Sequence, residues 1–198
     1  EGDFVGIHAR NLKEELVEQG WKYIPLRLLN SNEYRFPTSC VLYGLYRNKD
    51  NIVRTKSAII GESPKFVLQM ESILGRENNI SVGLFGMTLK KQQRNLLLKY
   101  GVNTIYIALD RQYESIYEYD EGGNKVKTKL FEKYEKKVRN IYYELRPFVA
   151  NVFLIYDDDD NRYLDFKDSP SDKQGEIWNK LFDSKIDCSL IEWEEDEK

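Results

Sequence analysis

The chain is poor in the residues that build covalent frameworks and soft-metal centres. Its only cysteines are Cys40 and Cys188, far apart in sequence, and its only histidine is His8. Neither a disulfide framework nor a Cys-x-x-Cys zinc site is indicated, and a histidine-built site is disfavoured. No apolar run approaches the roughly eighteen residues of a membrane-spanning helix. The opening residues EGDFVGIHARN lack the basic-then-apolar pattern of an export signal, and the absence of an initial Met suits an excised fragment. An intracellular, reducing compartment is the default expectation.

What is present describes a soluble globular protein. With 41% hydrophobic, 13% aromatic and 32% charged residues, 198 residues suffice for one domain, or one with a smaller lobe. Charge is unevenly spread: residues 1–156 hold 24 Lys and Arg against 18 Asp and Glu, whereas residues 157–198 hold 6 against 15. A mildly basic body therefore runs into an acidic end. That end, with EWEEDEK at its close, reads first as a solvated tail. The alternative is that carboxylates of YDDDDNRYLDFKDSPSD join a metal site.

From residue 57 onward, apolar runs alternate with helical periodicity. SAIIG (57–61) predicts a strand followed by Glu62, with Ser63-Pro64 as N-cap and first residue of a helix carrying Phe66, Met70, Ile73 and Leu74. SVGLF (81–85) predicts a second strand, then a helix with Leu89, Leu96 and Leu97 that ends near Gly101. TIYIAL (104–109) predicts a third strand running into Asp110. Phe131, Tyr134, Val138, Ile141 and Leu145 mark one face of a long helix stopping before Pro147. NVFLIY (151–156) predicts a fourth strand, followed by Asp157–Asp160.

Strands alternating with helices predict right-handed crossovers and a mostly parallel sheet covered on both faces. Ligand sites in such sheets lie beyond the carboxyl ends of the strands. Glu62, Gly86, Asp110 and Asp157 all follow predicted strands, so one sheet edge gathers three acids and a glycine. Clustered carboxylates repel unless a cation intervenes. Oxygen ligands suit Mg2+ or Mn2+, ions that serve phosphoryl chemistry. The competing reading is a flavodoxin-like domain whose strand-end acids only cap helices.

The Glu after the first strand, GMTLKKQQ after the second and the Asp after the third resemble the Toprim domain of bacterial-type primases, topoisomerases and some nucleases. Upstream, GDFVGIHARNL, KYIPLRLLNSNEYRF and LYGLYRNK resemble, in order, segments preceding Toprim in the primase polymerase core. IALDRQYE and FKDSPSDK are similar to the aspartate motifs of phage and prophage primases. The similarity covers roughly residues 1–185. It implies an α/β fold: a Toprim domain (57–187) with a mostly parallel four-stranded sheet flanked by helices, a small mixed N-terminal basic lobe (1–56) and an acidic tail (188–198).

The resemblance further implies a nucleotidyltransferase that makes short RNA primers on single-stranded DNA. Its partners would be the DNA template, nucleoside triphosphates and a replicative helicase, in the cytoplasm of a bacterium or phage-infected cell, with no membrane. Glu62 and Asp110 would be catalytic and would bind Mg2+ or Mn2+ together with Asp168 and Asp172. The alternative for the last two is structural: Ser171 or Asp172 would simply cap the helix holding Ile177, Trp178, Leu181 and Phe182. Arg10, Lys22 and Asn30 would contact template or nucleotide. Asp157–Asp160 read as a solvated turn before they read as ligands. Two positions depart from the pattern: Gln112 replaces the second acid of the paired motif, and Phe66 stands where an acid often follows the glutamate. Such a site could bind metal less tightly, recruit a later acid, or be inactive. A Toprim nuclease and a catalytically degenerate nucleic-acid-binding module are the alternatives. A zinc module before residue 1 would favour primase.

Overall fold

The computed structural model describes residues 7–26, 36–173 and 175–193. The elements in chain order are β1 (Ile7–Arg10), α1 (Glu14–Glu18), β2 (Tyr23–Leu26), α2 (Leu45–Thr55), β3 (Ser57–Gly61), α3 (Pro64–Leu74), β4 (Ser81–Gly83), α4 (Lys91–Lys99), β5 (Thr104–Ile107), β6 (Tyr117–Tyr119), β7 (Lys125–Lys127), α5 (Lys129–Leu145), β8 (Asn151–Leu154), α6 (Gly175–Asp183) and β9 (Ile186–Asp187). A single 3-10 turn, Cys188–Leu190, follows β9.

The central sheet has strand order β4-β3-β5-β8-β9. Its first four strands are parallel, as the alternation of strands and helices predicts. The fifth corrects the expected count of four: β9 pairs antiparallel with β8 and covers its open edge. Two residues are too few to show a period, which is why the sequence pattern did not reveal this strand.

The apolar runs are continuous because both faces of the sheet are buried. On one side Ile60, Val82, Ile105 and Ile107 pack with Leu97 of α4 and Val138, Ile141 and Leu145 of α5. On the other, Ile59 and Ala108 pack with Phe66, Val67 and Met70 of α3 and Trp178 and Leu181 of α6. The helix starts are locally encoded. Ser63 Oγ accepts the Phe66 N–H at 3.4 Å with Pro64 in the first turn, and Thr128 Oγ1 accepts the Phe131 N–H at 3.2 Å.

The expected 1–56 lobe divides in the structure. β1 and β2 pair as an antiparallel ribbon with Arg10 opposite Tyr23. Leu42, and Leu45 and Ile52 of α2, instead enter the core beside Val82. Tyr43 and Gly83 exchange two backbone hydrogen bonds of 3.0 Å each. Gly83 is the residue that permits this: a Cβ there would lie 3.0 Å from the Ser63 carbonyl and 3.3 Å from Tyr43 Cβ. At the other end, residues 188–193, expected in the acidic tail, fold onto α5. Cys188 is buried, Trp193 stacks on Tyr142 at 5.8 Å, and its Nε1–H donates to the Cys188 carbonyl at 3.2 Å. The apolar residues Cys188, Ile191 and Trp193 drive that packing. Among the described residues no helix is long and apolar enough to cross a membrane.

Candidate active site

β3 and β5 lie side by side at the centre of the sheet, so their carboxyl ends deliver Glu62 and Asp110 to one place. Glu62 Oε1 accepts the backbone N–H of Asp110 at 3.0 Å. Gly61 makes the turn into α3 possible, because a Cβ there would stand 2.3 Å from the Phe66 ring. The loop after β4 closes over the pair: Gly86 N–H donates to the Glu62 carbonyl at 2.9 Å. That loop carries Phe85 at φ 61, a left-handed conformation costly for an aromatic residue, held between Phe36 and Tyr43 by edge-to-face contacts at 5.4 and 6.3 Å.

Glu62 and Asp110 open onto a cavity of about 370 Å3 that Asp172, Lys22, Lys65 and Lys167 also line. Burial pushes the Glu62 carboxyl up to about 8, reinforced by the charge of Asp110 and opposed by the Asp110 N–H, Lys137 and Lys22. Burial likewise pushes Asp110 up to about 6; the Ser169 hydroxyl opposes this, Asp172 adds to it, and Lys22 and Lys65 oppose it. Asp110 Oδ1 is buried without a hydrogen-bond partner. Asp172 behaves differently: partial burial opposes its ionisation, but donors outweigh that and hold it below the usual carboxylate range. Those donors are Lys65, paired with Oδ1, Gln69 Nε2 at 2.7 Å and the Ser169 N–H at 2.9 Å.

The other residues singled out in the sequence fall into distinct places. Asp168 turns to Lys173 at 2.9 Å and accepts the Asp165 N–H at 3.0 Å, and it is not among the described residues lining the cavity. Lys22 lines the cavity, whereas Arg10 lies 5.8 Å from the Tyr23 ring, outside it. Asn30 lies outside the described residues. Gln112 is half-buried and does not line the cavity.

Asp157 is no part of a solvated turn. It is sealed in the interior and paired with Arg111 at 2.7 Å, because β8 delivers it beneath the loop that follows β5. Asp158 caps the tight turn through Asn161, and Asp159 accepts the Ile116 N–H at 2.8 Å. Sequence reasoning passed over Lys65, Lys167 and Ser169. Lys65 carried a signal, since it sits in the first turn of α3, three residues beyond Glu62. Lys167 and Ser169 reach the cavity only through the path of an irregular loop, which has no periodicity to read.

Two inward carboxylates that resist joint ionisation, with one oxygen unpartnered, form a donor set that fits a hard divalent ion. Mg2+ is commonly held by one or two carboxylates, with water and phosphate oxygens completing the shell. Among the described residues no group of three or more Asp, Glu, His or Cys side chains gathers as a metal cluster. The lysines around the pair add cationic contacts suited to phosphates.

The α/β fold, with its mostly parallel five-stranded sheet flanked by helices, is similar to that of primase cores that contain a Toprim domain. More particularly, the fold is that of the catalytic core of bacterial-type DNA primases. The Aquifex aeolicus primase, in a structure of its zinc-binding and RNA polymerase domains, matches with TM-score 0.62 and 22% identity over 94% of this chain and 38% of that chain. A DnaG primase catalytic domain bound to single-stranded DNA matches with TM-score 0.57 and 14% identity over 92% of this chain and 48% of that chain. In sequence, the chain is 36% identical over 188 residues to the SPbeta prophage-derived uncharacterized protein YorJ of Bacillus subtilis (strain 168), which covers 95% of this chain and 48% of YorJ. The chain thus spans about half the length of that relative. No protein-family model matches it.

Proposed function

We propose that this chain is the catalytic core of a phage-like primase, a nucleotidyltransferase that joins ribonucleotides into short primers on single-stranded DNA. The observation that carries the reading is the convergence of Glu62 and Asp110, with Asp110 Oδ1 unpartnered, at the centre of a primase-core fold. Glu62 and Asp110 would hold Mg2+ or Mn2+, with Asp172 adding negative field. Bound there, the ion would neutralise charge developing on the transferred phosphate. Asp168 would act through the shape of the 165–172 loop rather than as a ligand.

The chain's own residues supply binding and proton management. Lys22 and Lys167 present ammonium groups to the cavity, where the triphosphate of an incoming nucleotide carries its charge. Lys65 pairs with Asp172 and also lines the cavity, which places its ammonium group beside any phosphate bound there. Burial raises the Glu62 carboxyl to about 8 without an ion, so a divalent ion bound there would displace its proton. The template would lie along the basic N-terminal segment, with Arg10 and Lys22 on its phosphates and Tyr23 offering a ring. A helicase partner and a site of action in the cytoplasm of a bacterium or phage-infected cell belong to the same proposal.

The site's two carboxylates, with Gln112 outside the cavity, favour a second reading: a catalytically degenerate module that binds nucleic acid. One assay separates the readings. Labelled ribonucleotides, single-stranded DNA and Mg2+ or Mn2+ should yield short RNA with the wild-type protein and none with Glu62→Gln. Binding without incorporation supports the degenerate module, and strand cleavage would point to a Toprim nuclease.

A further inference from the structure

The loop between β4 and α4 puts an aromatic ring where the backbone least favours one. Phe85 has φ 61, in the left-handed region that glycine and asparagine enter readily and a bulky residue enters at a cost. Hydrogen bonds on both sides of it hold that conformation. The Leu84 N–H donates to the Gly61 carbonyl and the Gly86 N–H to the Glu62 carbonyl, each at 2.9 Å, while the Leu84 carbonyl accepts Gln93 Nε2 at 2.9 Å. A strained residue so over-determined by its surroundings is the form in which strain persists at ligand sites.

Core packing does not account for the ring. Phe85 is half-buried and joins neither of the apolar clusters that cover the two faces of the sheet. Edge-to-face contacts with Phe36 and Tyr43 at 5.4 and 6.3 Å brace it instead at the cavity, which it lines together with Tyr23.

Strand order then sorts the cavity chemically. β4, β3 and β5 are consecutive neighbours, so Phe85 follows the strand on one flank, Glu62 the middle strand and Asp110 the strand on the other flank, across two strand spacings or about 10 Å. Cations gather on the Asp110 side. The 165–172 loop, bonded to the backbone of Arg111 just beyond β5, carries Lys167, and Asp172 of the same loop draws Lys65. An apolar plane at one end and ammonium groups at the other match the two ends of a nucleotide, base and phosphates. At about 370 Å3 the cavity falls within the size range of small-molecule sites.

We propose that Phe85 is the platform on which the nucleobase of a bound nucleoside triphosphate stacks, with the phosphates at Lys65 and Lys167. This rests on the nucleotide-polymerising reading above and assigns the part of the substrate that the lysines and carboxylates leave uncontacted. Every base presents a π-face, so stacking on a ring selects for a base without choosing among them. That indifference suits a site whose choice of nucleotide is left to a template.

The test compares ATP with inorganic triphosphate by calorimetric titration of the whole chain in Mg2+, alongside ribonucleotide incorporation. The wild type should bind ATP about fivefold or more tightly than triphosphate, and Phe85→Leu should erase that preference. The Kd for triphosphate should be the same in both proteins, which a general loss of structure would not allow. Phe85→Trp, which keeps an aromatic plane, should retain the preference and add a fluorescence quench produced by ATP and not by triphosphate. An undiminished preference in Phe85→Leu, or none in the wild type, would overturn the platform. An effect of Phe85→Leu confined to the affinity for a single-stranded oligothymidylate would give the ring to the template and overturn the nucleotide subsite. Phe85-dependent preference for ATP in a wild type that incorporates nothing would support the platform and sink the polymerase reading alone. Incorporation by the wild type, with an unchanged nucleotide KM in Phe85→Leu, would sink the platform alone.

Discussion

Arg111 Nη1 meets Asp157 Oδ2 at 2.7 Å with the two side chains only 2% and 0% exposed. The guanidinium also donates to the Tyr113 and Glu114 carbonyls at 3.0 and 2.9 Å, and Asp157 Oδ2 accepts the Leu164 N–H at 2.7 Å. The backbone of Arg111 joins the 165–172 loop: its N–H donates to the Asp168 carbonyl and its carbonyl accepts the Lys167 N–H, at 2.8 and 2.7 Å. One buried pair therefore ties the loops that place Asp110, Lys167 and Ser169 around the cavity.

Breaking that pair from one side leaves a buried, uncompensated charge. Asp157→Ala should cost about 3–5 kcal/mol of stability in urea unfolding. Replacing both partners, Arg111→Met with Asp157→Leu, should recover much of that loss because no charge remains stranded. A single variant as stable as wild type would show that water reaches the pair.

The carboxylate pair predicts a pH-dependent stability of definite sign. Glu62 is raised from 4.5 to about 8 and Asp110 from 3.8 to about 6, so the native state retains protons that the unfolded chain releases. Their contribution is full below about pH 4 and is lost as pH rises, through about 6 for Asp110 and about 8 for Glu62. Melting temperature should thus fall between pH 5 and 8 by an amount equivalent to about 1–3 kcal/mol, and Glu62→Gln should flatten the upper part of the curve. Mg2+ competes with these protons, so its stabilisation should be larger at pH 8 than at pH 5.5. Equal stabilisation at both would mean the ion binds elsewhere.

Where the sequence was legible, a period or a cap made it so. The runs at Ile59-Ile60 and Ile105–Leu109, the Ser63-Pro64 helix start and the spacing of Phe131 through Leu145 each express one local rule, and the parallel sheet follows from their order. Glu62 and Asp110 were visible because a charge after a buried strand breaks the apolar run. Lys167, Ser169 and the burial of Asp157 depend on how two irregular loops cross, which leaves no pattern along the chain. The two-residue β9 and the packing of Trp193 were hidden for the same reason: their partners are distant in sequence.

A buried amide holds the wall of the cavity. Gln93 Nε2 lies 2.9, 3.0 and 2.9 Å from the carbonyls of Thr38, Val41 and Leu84, while its Oε1 accepts the Lys90 N–H at 2.9 Å. Thr38 lines the cavity. Gln93→Leu removes these bonds while keeping volume, and stranded carbonyls cost about 1–3 kcal/mol each, so a loss of about 2–4 kcal/mol is expected in urea unfolding. Glu at this position should do worse, because a carboxylate has no N–H to donate and repels the carbonyl oxygens around it. A neutral Gln93→Leu would mean water replaces the amide.

Two positions, Gln112 and Asp172, could supply a further charge to the ion. Gln112 does not line the cavity, whereas Asp172 does and acts on Asp110 as a like charge. Asp172→Asn should therefore ease the ionisation of Asp110, release Lys65 from its partner and leave the cavity more positive. The lost negative charge and the freed Lys65 oppose a divalent cation and outweigh the eased ionisation of Asp110, so the Mn2+ concentration giving half-maximal thermal shift should rise severalfold, equivalent to about 1 kcal/mol at a partly buried site. Asp110→Asn, which converts the unpartnered carboxylate oxygen into a neutral amide group, should abolish the Mn2+ shift. Gln112→Asp should move the midpoint by less than about twofold, since a charge outside the cavity and only half-buried is largely screened. Titrating Mn2+ against melting temperature in the three variants decides the matter without requiring activity. A tenfold tightening in Gln112→Asp would place residue 112 at the ion and Asp172 outside its shell.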